Sequence, residues 1–344
     1  MSPKFTSNLG AIRLIAAYLV LLRHSFTILG EPNPLESVPF GIWIFFAISG
    51  YLLPSSWQRD PRPFPYAKAR FRRLFPALAA VVLFSAFVIG PIFTTIPRRE
   101  YLPHPETWNY LLNLLFHPMY FLPGVFAENP YPYAVNGSLW SLPPQVLTYL
   151  LVPLVFVLRY RGARLAVWAL IFAFAQWNRA TGLLDETVIW GSNVSQTLSA
   201  VALFAAGAFL RESKIRLHLG VAGILLALLV CAPLFIPGSR YPLISVIIPY
   251  VVVTVGLRSW PILRAANRLP DISYGVFLLG FPIQQSMIAL APELNPWLNV
   301  LIAAVVSTLG ALVLERFVER PILQGAARRE AGPRQTPAGR GPRG

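Results

Sequence analysis

The chain is predicted to be an all-α, polytopic membrane protein of about ten transmembrane helices with cytoplasmic N- and C-termini. Three observations predict this. Of 344 residues, 55% are hydrophobic and only 12% charged, too apolar a balance for an ordinary soluble domain. Apolar runs near the ~20 residues that a helix needs to cross a bilayer recur along the chain. The basic residues gather in alternate connections between those runs, as orientation by positive charge requires.

The runs read as spans are Leu9–Leu29, Val38–Trp57, Phe75–Phe93, Leu139–Leu158 and Leu165–Asn178, then Gln196–Leu210, Leu217–Ile236, Pro242–Leu257, Ile272–Ala291 and Pro296–Phe317. A shorter apolar piece, Trp108–Leu122, is interrupted by His117 and Pro118 and reads as a re-entrant or interfacial hairpin. With the N-terminus inside, 23 of the 29 Lys and Arg fall in cytoplasmic segments, and only Arg98, Arg99, Arg179 and Arg240 fall outside. Counting Trp108–Leu122 as a further span would invert every later connection and expel most of these charges, so ten spans satisfy the charge rule and eleven do not. The division expected is a membrane domain over 1–322 and a basic, disordered cytoplasmic tail over 323–344, rich in Arg, Gly and Pro.

The formal charge of +15 follows from these topology signals and does not call for a nucleic-acid partner. The single cysteine, Cys231, sits in an apolar run, can form no intrachain disulfide and matches no metal pattern. No cleavable-signal pattern opens the chain; the first helix carries Arg13, Arg23 and His24 and is expected to be retained. There is no internal repeat of the kind that builds the two halves of many secondary transporters.

Arg13 and His24 are the most informative pair. They lie eleven positions apart, which at ~100° per residue returns to within roughly 20° of the same face and at ~1.5 Å per residue separates them by roughly 16 Å. Ionisable side chains inside a membrane cost roughly 2.5 kcal/mol or more and face a bundle interior or a wet cavity. A guanidinium near one end and an imidazole farther in describe the wall of a polar pore, and the ordinary pKa of imidazole, ~6.5, suits a general base. Interhelical hydrogen bonding is the plainer alternative for the histidine; the aligned arginine favours function. His104, His117 and His218 fall in loops or near membrane edges and receive no role.

Lys68-Ala-Arg70-Phe-Arg72-Arg73-Leu-Phe-Pro76 puts four cations where the third span begins. Arg70 and Arg73, three apart, share a helix face and can clamp a phosphate, although anchoring by positive charge explains such a cluster by itself. Asn136-Gly-Ser-Leu-Trp140-Ser141-Leu-Pro-Pro-Gln145-Val-Leu-Thr-Tyr149 enters the membrane from the outer side. Gln145 and Tyr149, four apart, can bind a hydroxyl-rich ligand or a neighbouring helix, and Trp140 alone reads as an interface residue. Phe45-Phe-Ala-Ile-Ser49-Gly50-Tyr51 offers small residues for close helix packing.

Taken together, these elements resemble the acyltransferase-3 family of integral-membrane acyltransferases over about Leu9 to Pro321. The likeness is carried by the Arg13, ten residues, His24 spacing, by Gly41-Ile-Trp-Ile-Phe-Phe46-Ala-Ile-Ser49-Gly50-Tyr-Leu and by Arg70-x-x-Arg73-Leu-x-Pro76. Asn136-Gly-Ser-Leu-Trp140-Ser141-Leu-Pro, Ile272-Ser273-Tyr274-Gly275 and Val318-Glu319-Arg320-Pro321 complete it. The resemblance implies O-acyl transfer in a bacterial inner membrane. Acetyl would pass from cytoplasmic acetyl-coenzyme A, a co-substrate, to a hydroxyl of a glycan, glycolipid or glycoside. It implies His24 and Arg13 at the catalytic centre, Arg70 and Arg73 on coenzyme A, and Trp140, Ser141, Gln145, Tyr149 and Tyr274 toward substrate. No permanently bound cofactor, metal or nucleic acid is implied; the partners are acyl-coenzyme A, a carbohydrate or glycolipid acceptor, and membrane lipid. Many members carry an acidic residue where Gln145 stands and a histidine where Gly280 stands, which here leaves His24 as a single base. A transporter or flippase of a lipid-linked or acylated molecule is the alternative of another class. A purely structural membrane protein would leave Arg13 and His24 unexplained.

Overall fold

The computed structural model describes residues 8–33, 40–235, 240–258, 260, 261, 263 and 270–330. Lys4, Val38, Ile236, Arg264, Arg268 and the end of the expected tail, residues 331–344 with Arg334, Arg340 and Arg343, lie outside the described residues.

Ten long helices stand where the apolar runs predict them: α1 Leu9–Leu29, α2 Phe40–Arg59, α3 Pro63–Phe84, α4 Leu142–Phe156, α5 Arg161–Thr181, α6 Val194–Ser213, α7 Leu219–Phe235, α8 Arg240–Gly256, α9 Ser273–Leu290 and α10 Pro296–Leu314. Among the described residues seven helical stretches are long and apolar enough to cross a membrane. The other three expected spans are α5, which carries Arg161, Arg164 and Arg179, and the 17-residue helices α7 and α8. α3 runs on through a π-helical turn, Ser85–Ile89, to Phe93. Its 31 residues measure ~46 Å, longer than a ~30 Å hydrocarbon core, so the basic first turns overhang it. α10 likewise continues through a π-helical turn, Glu315–Glu319, into α11, Arg320–Glu330. The segment from Leu323, expected to lack structure, is therefore helical as far as Glu330.

Trp108–Leu122 is no spanning helix: one short turn, Pro105–Asn109, leads into a 3-10 turn, Tyr110–Leu115, and then into irregular chain. Extended bridges Thr94–Val125 and Phe121–Ala134 close this lobe. A small hairpin, β1 Val188–Ile189 and β2 Ser192–Asn193, turns through Trp190 and Gly191, both at positive φ, as a two-residue hairpin loop requires.

Contacts sort the helix ends into two sets. The start of α1 meets the end of α8 through Asn8 N–H to the Gly256 carbonyl, 2.7 Å. The start of α9 meets α1, and the end of α10 meets α3, through ion pairs. Gln58 and Arg164 bring the end of α2 and the start of α5 onto Glu212, at the end of α6. At the opposite set, Asn178 near the end of α5 bonds Ser195 at the start of α6, and Gln176 bonds Ser245 at the start of α8. α1 and α9 thus run in the same direction, with Arg13 on Asp271 at one end and Ser25 bonded to Gln284 at the other.

Close packing comes from small residues, as read for the Ser49-Gly50 segment. A Cβ on Gly50 would lie 2.0 Å from the Phe204 carbonyl oxygen, and one on Gly207 would lie 2.2 Å from that of Ala47. The backbones of α2 and α6 touch there, and only glycine permits it.

Candidate active site

At the end of the bundle where α1, α3 and α9 begin, four charged side chains form one network. Arg13 Nη2 lies 2.6 Å and Arg73 Nη2 2.5 Å from the same oxygen, Oδ2, of Asp271. Ser273 donates its hydroxyl to the other carboxylate oxygen at 2.7 Å, and Arg73 Nη1 reaches Glu319 Oε2 at 3.3 Å. Glu319 is 2% exposed, whereas Arg13, Arg73 and Asp271 keep 26–31% of their side-chain surface; the π-helical turn at the end of α10 turns Glu319 inward. Burial by itself would push the Asp271 carboxyl up, but the Arg73 and Arg13 guanidiniums, with the Ser273 hydrogen bonds, hold it below its ordinary value.

Arg70 stands apart. Its guanidinium sits 5.5 Å from the Tyr66 ring centre and donates to the Ser56 hydroxyl at 3.2 Å; no described carboxylate pairs with it. Tyr149 of α4 interacts electrostatically with Arg70, Arg73 and Arg13, which puts the hydroxyl and three guanidiniums in one neighbourhood.

Beside this network lies a cavity of about 60 Å³, lined by Ile42, Phe45, Leu74, Gln145 and Tyr274 among others. At ~10–15 Å³ for each water-sized probe it holds a handful of waters or a thin chain. The Tyr274 hydroxyl in its wall is buried without a partner, as are Arg13 Nε and Glu319 Oε1 of the network and Arg70 Nε. Native proteins satisfy most such groups, so these four atoms are open to a ligand.

α9 leads from the network toward His24. Tyr274, Phe277 and Phe281 recur at helical spacing; Tyr274 and Phe277 line the cavity, and Phe277 meets Phe45 edge to face at 6.1 Å. Phe281 meets His24 at 5.2 Å, also edge to face, and a Cβ on Gly137 would press on the Phe281 ring at 2.7 Å. The Asn136-Gly137 turn therefore packs against the ring that holds His24. Asn136 caps this turn, accepting from Ser138 N–H at 3.1 Å, and its amide donates to the Leu278 carbonyl at 2.9 Å. The imidazole makes no hydrogen bond to any described residue. Next to it Ser25 donates to Asn299 at 2.8 Å, and Gln284 donates to the Leu21 carbonyl at 2.7 Å and to Ser25, leaving the buried Gln284 Oε1 unpartnered.

Asp271 with its tethered guanidinium, the cavity-lining Tyr274 and Phe277, and Phe281 against the His24 imidazole thus follow one another along α9. The model of a family described as an acyltransferase domain matches residues 7–316. The chain belongs to the acyltransferase-3 family. Among curated relatives, an O-acetyl transferase of Shigella phage Sf6 is 30% identical over 166 residues, 46% of this chain and 49% of that protein. The chain thus spans about half the length of that relative. Nodulation protein 10 of Rhizobium leguminosarum bv. viciae is 25% identical over 85% of this chain and 86% of its own length. No solved structure matches.

Of the residues read from the sequence, this acyltransferase-3 chain brings Arg13, Arg73, Tyr149 and Tyr274 together at the network, and Ser141 and Gln145 to the cavity wall. Gln145 is partnered by Thr148 at 3.2 Å. Trp140 does not line the cavity; its ring packs on the hydrophobic core and its carbonyl accepts from Ser192. Arg70 and Arg73 share α3 but engage different partners. His104 accepts from the Glu106 N–H in a short helix cap, His117 packs on Trp190, and the His218 backbone N–H donates to the Tyr250 hydroxyl. Among the described residues no His, Cys, Asp and Glu cluster could hold a metal. The sequence reading missed Asp271 as the centre of the network, and Gln284. Asp271 carried one usable signal: it is an acid immediately before an apolar run, in a chain with only 14 acidic residues.

Proposed function

We propose that this protein is a membrane-bound O-acyltransferase that moves an acetyl group from cytoplasmic acetyl-coenzyme A to a hydroxyl of a glycan, glycolipid or glycoside. The observation that carries the reading is the succession along α9 of the Arg13–Asp271–Arg73 network, the cavity wall at Tyr274 and Phe277, and Phe281 against His24. Family membership and the O-acetyl transferase relative support acyl transfer; the basic start of α3 supports an anionic donor.

In this reading the donor's phosphates stay near Arg70, outside the membrane core, and its thin acyl-bearing arm enters the cavity. His24 takes the proton of the acceptor hydroxyl as the oxygen attacks the thioester carbonyl. The tetrahedral oxyanion then collapses, the C–S bond breaks, and the proton passes to the departing thiolate. Arg13, roughly 16 Å from His24 along α1, orients the donor's arm so that the thioester reaches the base. Ser141, Gln145 and Tyr274 contact the substrates. The alternating helix ends and the common direction of α1 and α9 favour ten crossings: with seven helices between them, α1 and α9 enter from the same side. The basic connections favour that side as the cytoplasm, in a bacterial inner membrane.

The test is saturable acetyl-coenzyme A binding by the purified full-length protein in detergent. Binding is expected, with Arg70→Ala weakening it by about tenfold, roughly the loss of one charge-assisted phosphate contact. A folded wild type that binds no acetyl-coenzyme A would sink the reading.

A further inference from the structure

We propose that Asp271 is a positioning residue that couples Arg73 to Arg13, so that the two arginines of α3 divide their work: Arg70 meets the donor's phosphates, while Arg73 holds Asp271 and, through it, Arg13. The proposal rests on the donor reading above.

Charge and geometry both lead here. Arg13 and Arg73 meet on one oxygen of Asp271 at 2.6 and 2.5 Å, and Ser273 fixes the other oxygen. The carboxylate is held from three sides and cannot turn without releasing a guanidinium. Two cations face two anions, Asp271 and Glu319, so the network is neutral in sum and its carboxylates would repel a phosphate. Arg73 is engaged by both carboxylates. Arg70, with one hydroxyl partner and a tyrosine ring beneath it, is the cation still able to take a bidentate phosphate contact. Arg13, by contrast, keeps a buried Nε without a partner, and the Tyr274 hydroxyl, on the helix that Asp271 precedes, is unpartnered as well. Because Arg13 lies roughly 16 Å along α1 from His24, it can hold the donor's arm on its way to the base, provided the guanidinium is held in register. Arg13 comes from α1, Asp271 precedes α9 and Arg73 belongs to α3, so the carboxylate transmits position across three helices.

Because a plain ion-pair staple would use the same contacts, the test separates donor affinity from turnover. Acetyl-coenzyme A affinity is measured on the full-length protein in detergent. Transfer is measured as label from radioactive acetyl-coenzyme A entering the glycan and lipid fraction of membrane vesicles from native cells. Asp271→Asn is expected to keep donor affinity within about threefold yet lower the rate at saturating donor by on the order of 10²-fold, the scale of a misplaced reactant. Asp271→Glu should restore much of that rate. Arg73→Ala should behave like Asp271→Asn, and the double variant should be no worse than either single one, as groups acting in series require. Arg70→Ala should do the reverse, weakening affinity and sparing the saturated rate. Asp271→Asn weakening affinity as much as Arg70→Ala, or lowering rate and affinity only in proportion to folded protein, would overturn the proposal while leaving the donor reading intact. A folded wild type that binds no acetyl-coenzyme A would overturn both.

Discussion

Two parts of this bundle bury arginine–carboxylate pairs near the same set of helix ends, and they differ in how completely the pairs are satisfied. Where α2, α5 and α6 meet, Glu212 is 4% exposed and accepts from Arg164 Nε at 2.7 Å and from Gln58 at 3.0 Å. Arg161 donates to the Glu212 and Ser213 carbonyls, and Arg164 lies 4.7 Å over the Phe156 ring. None of these side chains has a buried polar atom left over, and the nearby backbones touch at Gly50 and Gly207. Where α1, α3 and α9 meet, the pairs to Asp271 are as short but the cluster is incomplete: Arg13, Arg70, Tyr274 and Glu319 each keep an unpartnered buried atom, and Tyr274 lines a cavity. The same chemistry is closed in one place and left open in the other. A closed pair holds helices together; an open one, at a cost in stability, leaves groups for a ligand.

The sharpest break in this comparison lies at His24, at the far end of the open side. His24→Ala is expected to lower acetyl transfer by roughly 10²–10⁴-fold, the range for losing a general base. Donor affinity and the thermal midpoint in detergent should stay near wild type, because the imidazole has no hydrogen bond to lose among the described residues. Full activity in this variant would remove His24 from the chemistry. Glu212→Ala should do the opposite. Stranding Arg164, 14% exposed, without its counter-ion costs about 3 kcal/mol. The midpoint should therefore fall markedly while the transfer rate per folded molecule holds. A rate that fell with no loss of stability would make the closed cluster part of the active site and erase the distinction.

The two sides were also unequally legible in the sequence. Helix positions came from apolar runs, a local property, and the structure has a helix at each of them. The crossing count is harder to read, because α5 carries three arginines and α7 and α8 are short. Arg13 and His24 could be paired because both lie on one helix, where periodicity fixes their relation; Gln145 and Tyr149 were found in the same way. Asp271 could not, since its partners are 198 and 258 residues away in the chain and nothing local announces them. Glu319 gained its inward aim from a π-helical turn that no residue pattern marked. Trp140 was read toward the substrate on the strength of its motif, but a large aromatic at a membrane edge packs well without a ligand, and here it does.

The smallest expected effect tests how much room the open side holds near His24. On α9 two glycines lie five residues apart in different surroundings. A Cβ on Gly275 would sit 2.8 Å from the Ala311 Cβ, so alanine there must push α9 and α10 apart. A Cβ on Gly280 would meet only Leu21, at 3.5 Å, an ordinary contact. With the backbone helical and the space free, Gly280→Ala should gain about 0.5 kcal/mol by restricting the unfolded chain and keep transfer within about twofold. Thermal midpoint and transfer rate, measured on the same preparation, check both halves of that expectation. If the midpoint rises while transfer falls and acetyl-coenzyme A affinity is unchanged, the space beside Gly280 belongs to the acceptor. The position where many acyltransferase-3 members carry a histidine would then serve recognition here, without a second base.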